Sequence, residues 1–440
     1  MKFQLRTLML TILVGSALLL TGCHQNTTEK LPPVKGRNLT AMVISDDHVI
    51  APSLHDNGSA FDSYAGNDAG ADLKYSATIF KAFIAKAIAT KPDVVIVSGD
   101  ITNNGEKASH EYVARQLQRL TQHRIHVYVI PGNHDLNNPL TRGFKGKKQH
   151  EVEAIDAAQF KQIYAKAGYN EAVAHDSNSL SYLVKPSKKT WFLMLNSAIY
   201  KSNYQQGSST VGGGLPDGTL DWVAKIGREA KKQHAILIPV LHHNTMNHTM
   251  INQGYTIGYA DQVRDVFSKA NVKLTLSGHI HAQSIKHKTV NGKELTDIAS
   301  GALILGEHYY GTLTLDQQTG KAQYHATSLN VSAYIQQHQG VKAAKAYQKY
   351  DHDVLYASGY NAALSSLYED RDETQYSTKK MKTLATGMGE ANIAMFRGTP
   401  VKQTPAVLAW EQLPDSVRLK EFILKTKNLH GNLQWSGAVR

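Results

Sequence analysis

Seven short apolar runs punctuate the first three quarters of the chain: Thr40–Ile44, Val94–Val97, His126–Ile130, Trp191–Leu195, Ala235–Leu241, Val272–Leu276 and Thr312–Leu315. They are rich in Val, Ile and Leu and too short for helices, which is the pattern of strands buried on both faces. Between them apolar residues recur at helical spacing. Leu73, Ala77, Phe80, Ile84 and Ile88 form one such stripe, and Tyr112, Val113, Leu117 and Leu120 another. Leu220, Val223, Ile226 and Ala230 follow Pro216-Asp217-Gly218, a helix start. Strand and helix in alternation predict an α/β domain over residues 37–330 with a largely parallel or mixed sheet.

The character changes at residue 331. The remainder is rich in Ala, Lys, Gln, Tyr and Leu and carries no clear strand signal. Val341–Tyr350 and Ala406–Thr426 have helical composition, with Pro414 dividing the second stretch because proline interrupts a helix interior. Residues 366–380 are polar and charged and predict a connection, so 331–440 is expected to be a C-terminal helical domain.

The other end is a leader. Lys2 and Arg6 precede an apolar run from Leu8 to Leu20, shorter than the ~20 residues a spanning helix requires. Leu20-Thr21-Gly22-Cys23 resembles the bacterial lipobox, in which the cysteine is lipidated and becomes the first mature residue. The expected organisation is a signal peptide over 1–22, a tether over 23–36 containing Pro32-Pro33, and an exported protein anchored to the membrane on its extracytoplasmic face. Cys23 is the only cysteine, so disulfides are excluded and a catalytic thiol is a poor reading. The net charge is +12; residues 1–22 hold two cationic side chains and no acid, which leaves +10 on the mature chain. That surface suits anionic partners, but apart from the loop Lys145-Gly146-Lys147-Lys148 no dense basic block is present, so dedicated nucleic-acid binding is not expected. No obligate protein partner is evident either.

Five of the apolar runs end in residues that ligate metals. They lead into Asp46-Asp47-His48, Asp100, Asn133-His134-Asp135, His242-His243 and His279-Ile280-His281. In α/β sheets ligands gather beyond the carboxyl ends of the strands, so five such ends build one polar cluster. On an extended segment residues i and i+2 face the same side, which would pair Asp46 with His48 and His279 with His281. Gly99, Gly132 and Gly278 flank the blocks and permit unusual backbone angles and close approach. Carboxylates, imidazoles and an amide oxygen without thiolate suit Mn, Fe, Zn or Co. Of the two adjacent histidines, His242 is preferred because it directly follows the run; His243 is the alternate.

Asp46-x-His48, Gly99-Asp100, Gly132-Asn133-His134-Asp135, His242 and Gly278-His279-x-His281 together resemble the ordered signature of the calcineurin-like metallophosphoesterases, over roughly residues 40–285. The resemblance implies a four-layer α-β-β-α sandwich of two mixed sheets. It implies two metal ions (Mn, Fe or Zn), one taking Asp46, His48, Asp100 and His281, the other Asp100, Asn133, His242 and His279. A metal-bridged hydroxide would attack phosphorus, His134 would bind the phosphoryl group or protonate the leaving oxygen, and Asp135 would orient His134. Asn103 and Asn104, in the extended second block, would help to place substrate. The aspartate ending the third block, the extended second block and the helical extension look most like exported class III 3′,5′-cyclic-nucleotide phosphodiesterases, with a small phosphoester, a nucleotide, as substrate. A phosphomonoesterase or a diesterase of other cell-surface phosphoesters is the alternative. A non-catalytic binding lipoprotein is a third reading, disfavoured because every expected ligand and His134 are present.

Other residues have plainer readings. Asp47 is expected to be a neighbour of the ligands or exposed. His110, His123, His126 and His287 read as structural or surface residues. Gly212-Gly213-Gly214 lacks the Gly-Lys-Ser/Thr of a phosphate loop. Tyr255 and Tyr259 read as core or surface tyrosines, with stacking on a base as the alternative.

Overall fold

The structure, a computed structural model, describes residues 30–66, 70–249, 254–369, 376–417 and 419–440; the leader and Cys23 lie outside them. Its strands are β1 (Asn38–Ile44), β2 (Val94–Val97), β3 (His126–Val129), β4 (Arg142–Lys145), β5 (Lys148–Glu151), β6 (Ala174–His175), β7 (Tyr182–Val184) and β8 (Thr190–Met194). There follow β9 (Ile236–Val240), β10 (Leu274–Ser277), β11 (Ser284–Val290), β12 (Lys293–Ala299), β13 (Tyr309–Asp316), β14 (Lys321–Ser328) and β15 (Gln434–Ala438).

Two mixed sheets carry the fold. The first runs β15-β14-β13-β1-β2-β3, and the second runs β11-β12-β10-β9-β8-β7-β6. In the first sheet β1, β2 and the edge strand β3 are parallel, and in the second β8, β9, β10 and β12 are parallel, while the other strands pair antiparallel. Antiparallel β4 and β5 form a separate hairpin.

Alternation along single strands shows how the layers stack. On β8 Phe192 and Met194 join the large core that also holds β1 to β3, whereas Trp191, Leu193 and the following Leu195 join a second core with Val223, Ile226, Val263 and Phe267. On β9 Ile238 and Val240 face the first core and Leu237 the second. Successive side chains of a strand point to opposite faces, so one face of the second sheet meets the first sheet and the other meets the helices Thr219–Lys232 and Ala260–Lys269. On the first sheet's side lie the helices Ser76–Thr90 and Lys107–Gln122, burying Phe80, Phe83, Val113 and Leu117. The result is helices, sheet, sheet, helices. Burial on both faces explains why the central strands read as unbroken apolar runs.

The C-terminal segment contributes helices Val331–Gln339, Val341–Glu369, Thr378–Arg397, Pro405–Leu408 and Lys420–Thr426. Ser377 caps the third, its hydroxyl accepting from the Lys380 N–H, and Gly398 at φ 64 ends it. Thr404 caps the fourth, with Pro405 at its first position. These helices enclose their own small core around Trp410, whose indole N–H donates 2.8 Å to the Leu384 carbonyl. Ile335, Ala344, Tyr347 and Leu355 pack into the large core instead.

Three features depart from the sequence expectation. The first long helix continues past Tyr350 to Glu369, and a further helix, Thr378–Arg397, occupies a stretch to which the pattern assigned none; the break between Glu369 and Thr378 falls within the connection expected over 366–380, of which 370–375 lie outside the described residues. Beyond residue 331 there is also a strand: β15 pairs antiparallel with β14 at the outer edge of the first sheet. Its side chains alternate between exposed and half-buried, so an edge strand of this kind carries no apolar run to read.

Candidate metal centre

The carboxyl ends of β1, β2, β9 and β10 and the turn after β3 converge. The backbone there is not extended. Asp46 (φ 54), His48 (φ 40), Asp100 (φ 48), His279 (φ 71) and His281 (φ 59) all lie in the left-handed region. The expectation that Asp46/His48 and His279/His281 share a side because their segments are extended is thus corrected: each pair is turned inward by left-handed residues. Such conformations cost about 1–3 kcal/mol each for residues other than glycine and cluster at functional sites. Gly278 permits the approach of β10 to β1, since a Cβ there would overlap Ser45 Oγ and meet Asp46 Oδ2 at 2.7 Å. Gly99 sits at φ 101, where a Cβ would meet the His242 ring.

Donor atoms of Asp46, His48, Asp100 and His281 lie within 4.8 Å of one another, as do those of Asp100, His242 and His279. Asp100 belongs to both groups. In the first, His48 Nε2 and His281 Nε2 stand 3.2 Å apart, and His281 Nε2 is 3.4 Å from Asp46 Oδ1. In the second, His242 Nε2 is 3.2 Å from Asp100 Oδ2 and 3.2 Å from Asn133 Oδ1, so Asn133 joins this group. The outer nitrogens are held by carbonyls. His242 Nδ1–H donates 2.9 Å to Ser98, and His279 Nε2–H donates 3.1 Å to Gly254. Those bonds leave His242 Nε2 and His279 Nδ1 to face inward, the arrangement by which histidine ligands are oriented at metal sites.

The electrostatics fit cations. Burial opposes ionisation of Asp46, but His281 draws its carboxyl down to about 2. Burial likewise opposes ionisation of Asp100, and His242 and His134 hold it well below the usual carboxylate range. Burial disfavours charge on His242, yet Asp100 lifts that imidazole to about 9. His48 is pushed down to about 3 by burial and by His134, and His279 to about 3 by burial and by His242, so both present neutral lone pairs. Asp46 Oδ1 is buried, and among the described residues only the His281 ring nitrogen approaches it, at 3.4 Å and without hydrogen-bonding geometry. A buried anionic oxygen so placed, beside two ring nitrogens facing each other, is a set that cations complete.

His134 stands next to this cluster, half-buried, its ring 4.9 Å from that of His48. Its N–H donates 2.8 Å to Asp100 Oδ1, and its Nδ1–H donates 2.7 Å to the Asn103 carbonyl, which leaves Nε2 for a substrate. Asp135 does not orient the His134 ring, contrary to expectation. Its carboxylate instead accepts from the N–H groups of Gly132 (2.8 Å), Thr102 (2.9 Å) and Ile101 (3.1 Å) and from the Thr102 hydroxyl (2.9 Å). Burial and Asp100 raise Asp135 to about 6, with those donors working the other way. Asp135 therefore ties the turn after β3 to the turn after β2. His110, buried beneath, is 3.0 Å from the Asp135 carbonyl and 2.9 Å from the Tyr164 hydroxyl.

Asn103 and Asn104 are buried, and both amides donate to the Tyr64 hydroxyl, at 2.8 and 2.9 Å. The main-chain oxygen of Asn103, which no side-chain pattern reveals, holds His134. His243 is turned away from the donor groups toward Ser197 Oγ (2.9 Å) and the Val211 carbonyl (3.0 Å), and burial and His279 push it well below its usual range. Asp47 is buried, and among the described residues neither carboxylate oxygen finds a hydrogen-bond partner; burial and Asp46 raise it well above the usual range. Gly213 packs against His243, and the Tyr255 ring lies 5.1 Å from that of His279, whereas Tyr259 is exposed. His123, His126 and His287 serve the surrounding structure, bonding the Arg119 carbonyl (2.7 Å), Glu171 (2.7 Å) and the Thr296 hydroxyl (3.0 Å).

A sequence profile of the calcineurin-like phosphoesterases matches residues 39–283, more than half of the chain, and the chain belongs to that family. A probable cyclic nucleotide phosphodiesterase of Coxiella burnetii is 23% identical over 202 residues, which cover 45% of this chain and 64% of that protein, a little under two thirds of its length. Among solved structures, a dimetal phosphatase from Danio rerio is 12% identical with a TM-score of 0.49, covering 66% of this chain and 96% of its own. The anchor protein of the Plasmodium inner membrane complex is 11% identical with a TM-score of 0.35, covering 67% of this chain and 85% of its own.

Proposed function

We propose that the protein hydrolyses phosphodiesters, with a 3′,5′-cyclic nucleotide as substrate, using two metal ions. Asp46, His48, Asp100 and His281 would hold one ion, and Asp100, Asn133, His242 and His279 the other. When bound, the pair would supply Lewis-acid activation of water and of the phosphoryl oxygens. The observation that carries the proposal is the placement of His134: fixed at Nδ1 by the Asn103 carbonyl and at its N–H by Asp100, the carboxylate common to both donor groups, it holds its ring 4.9 Å from that of His48. Water adds to phosphorus as the ester P–O bond breaks; His134 passes a proton from Nε2 to the departing oxygen, and the proton given up by the attacking water restores it. Asp135 acts by fixing the turn on which His134 sits. The distant likeness to a probable cyclic nucleotide phosphodiesterase and the Tyr255 ring beside His279 support a nucleotide.

The test supplies the purified chain with Mn and compares cyclic AMP with mononucleotides, glycerophosphodiesters and short oligonucleotides, using bis-p-nitrophenyl phosphate as a general reporter. Cyclic AMP should be cleaved fastest. Preference for a mononucleotide would replace this proposal with a phosphomonoesterase, and no turnover across a metal panel would remove it.

The proposal includes an extracytoplasmic setting, with Cys23 lipidated, supported by Leu20-Thr21-Gly22-Cys23 after the apolar leader. No described helix is long and apolar enough to cross a membrane. Cys23→Ala should move the protein from the membrane to the soluble fraction; unchanged partitioning would contradict the anchor.

A further inference from the structure

We propose that Asp72, His308 and Asp351 form a third cation site, sharing no residue with the catalytic centre, which clamps the helix Val341–Glu369 to the catalytic body. The three come from distant segments: the turn before Leu73, the loop between β12 and β13, and the long C-terminal helix. Their ligand atoms nevertheless lie within 4.8 Å of one another. His308 Nε2 is 3.6 Å from Asp72 Oδ2 and 3.4 Å from Asp351 Oδ1.

The tautomer is fixed by a neighbour. His308 Nδ1–H donates 2.8 Å to the Leu303 carbonyl, so the neutral ring turns its Nε2 lone pair toward the two carboxylates. Tyr347, one turn before Asp351, brings its hydroxyl onto the same Nε2. Asp72 is fully buried, and among the described residues neither of its carboxylate oxygens has a donor at hydrogen-bonding geometry, the neighbouring Tyr347 hydroxyl being engaged with His308; nor has Asp351 Oδ1. A proton shared between the two acids would pair two of these three oxygens and leave the third bare. A divalent cation takes them together and balances two carboxylates, of which the fully buried Asp72 is otherwise the costly one to charge. Two carboxylates and an imidazole suit Mn, Zn or Fe.

The site also backs the catalytic centre. Asp72 N–H donates 3.0 Å to the Ile304 carbonyl, and within the same loop Leu303 N–H donates 2.9 Å to the Ser45 carbonyl, next to Asp46. A cation on His308 would therefore brace the loop lying against the end of β1 and join it to the C-terminal helix.

The test counts metal in the full-length protein, purified in detergent, loaded with Mn or Zn and freed of excess ion, by mass spectrometry. Wild type should hold one equivalent more than Asp351→Asn, while that variant keeps turnover of bis-p-nitrophenyl phosphate within a few-fold. Asp72→Asn should lose the same equivalent. Equal metal content in wild type and a folded Asp351→Asn overturns the site. Should the variants misfold, anomalous scattering at the Mn or Zn edge from wild-type crystals decides: a peak among Asp72, His308 and Asp351 supports the site, and its absence refutes it whatever occupies the catalytic centre.

Discussion

The two sheets furnish the centre with opposite chemistry. The first supplies Asp46, His48, Asp100 and Asn133, and keeps Asp47, Glu106 and Asp135 buried close behind. The second supplies imidazoles: His242, His279 and His281, with His243 beside them. Each half is uncomfortable alone. Burial and neighbouring carboxylates raise Asp47 and Asp135, while burial and neighbouring imidazoles push down His243 and His279. Across the seam favourable pairs form: His281 draws Asp46 down to about 2, and Asp100, held low, lifts His242 to about 9. Neither half is a binding site by itself; cations at the seam would take over the work that protons do without them.

The sharpest way to break this comparison is Asp100→Ala, which removes the one carboxylate common to both donor groups. Activity should fall more than about a thousandfold, because the charge stabilisation supplied by the metals is worth several kcal/mol. Metal content, read by mass spectrometry, should fall with it; retained metal and turnover would mean that the seam is not the site. His134→Ala tests a residue of the acidic half that belongs to neither donor group. Turnover should drop by about 10²–10⁴-fold with metal content intact, and loss of metal instead would make His134 a ligand.

The smallest effect concerns the cost of crowding acids in one half. Burial raises Glu106 to about 7, above its ordinary 4.5. Between those values the folded state keeps a proton that the unfolded chain has released. The stabilisation is therefore complete below about 4.5 and is lost as pH rises through about 7. Glu106→Gln should remove this part of the pH dependence and raise Tm at pH 8 by about 2–4 °C relative to wild type. An unchanged Tm–pH profile in the variant would show that Glu106 carries no such burden.

The donors were legible in the sequence because a strand buried on both faces must be apolar, and the first polar residues after it enter the crevice. That logic located Asp46, Asp100, Asn133, His242 and His279 without any knowledge of contacts. Their backbone was not legible: left-handed angles at aspartate and histidine leave no mark in composition, so pairs that share a pocket looked like pairs on an extended strand. The partner of His134 was hidden for a related reason, since every residue offers a carbonyl and only folding selects that of Asn103. In the C-terminal segment Met381, Leu384, Ala385 and Met388 do fall at helical spacing, but Gly387 and Gly389 interrupt the pattern; the structure uses Gly387 for close packing against the Ala406 carbonyl. Asp72, His308 and Asp351 have no sequence signature at all, because three single residues from distant segments form no motif.

β14 and β15 are neighbours in one ladder, yet all the C-terminal helices intervene between them in the chain. Topologically they are a hairpin whose connection is an entire helical bundle. That bundle is leashed at both ends and cannot swing outward without unzipping main-chain hydrogen bonds along the sheet edge. The same closure orders assembly: so long a loop carries an entropic toll that contacts within the bundle must first offset, so the outermost strand is expected to zip late, as the final stitch in the sheet.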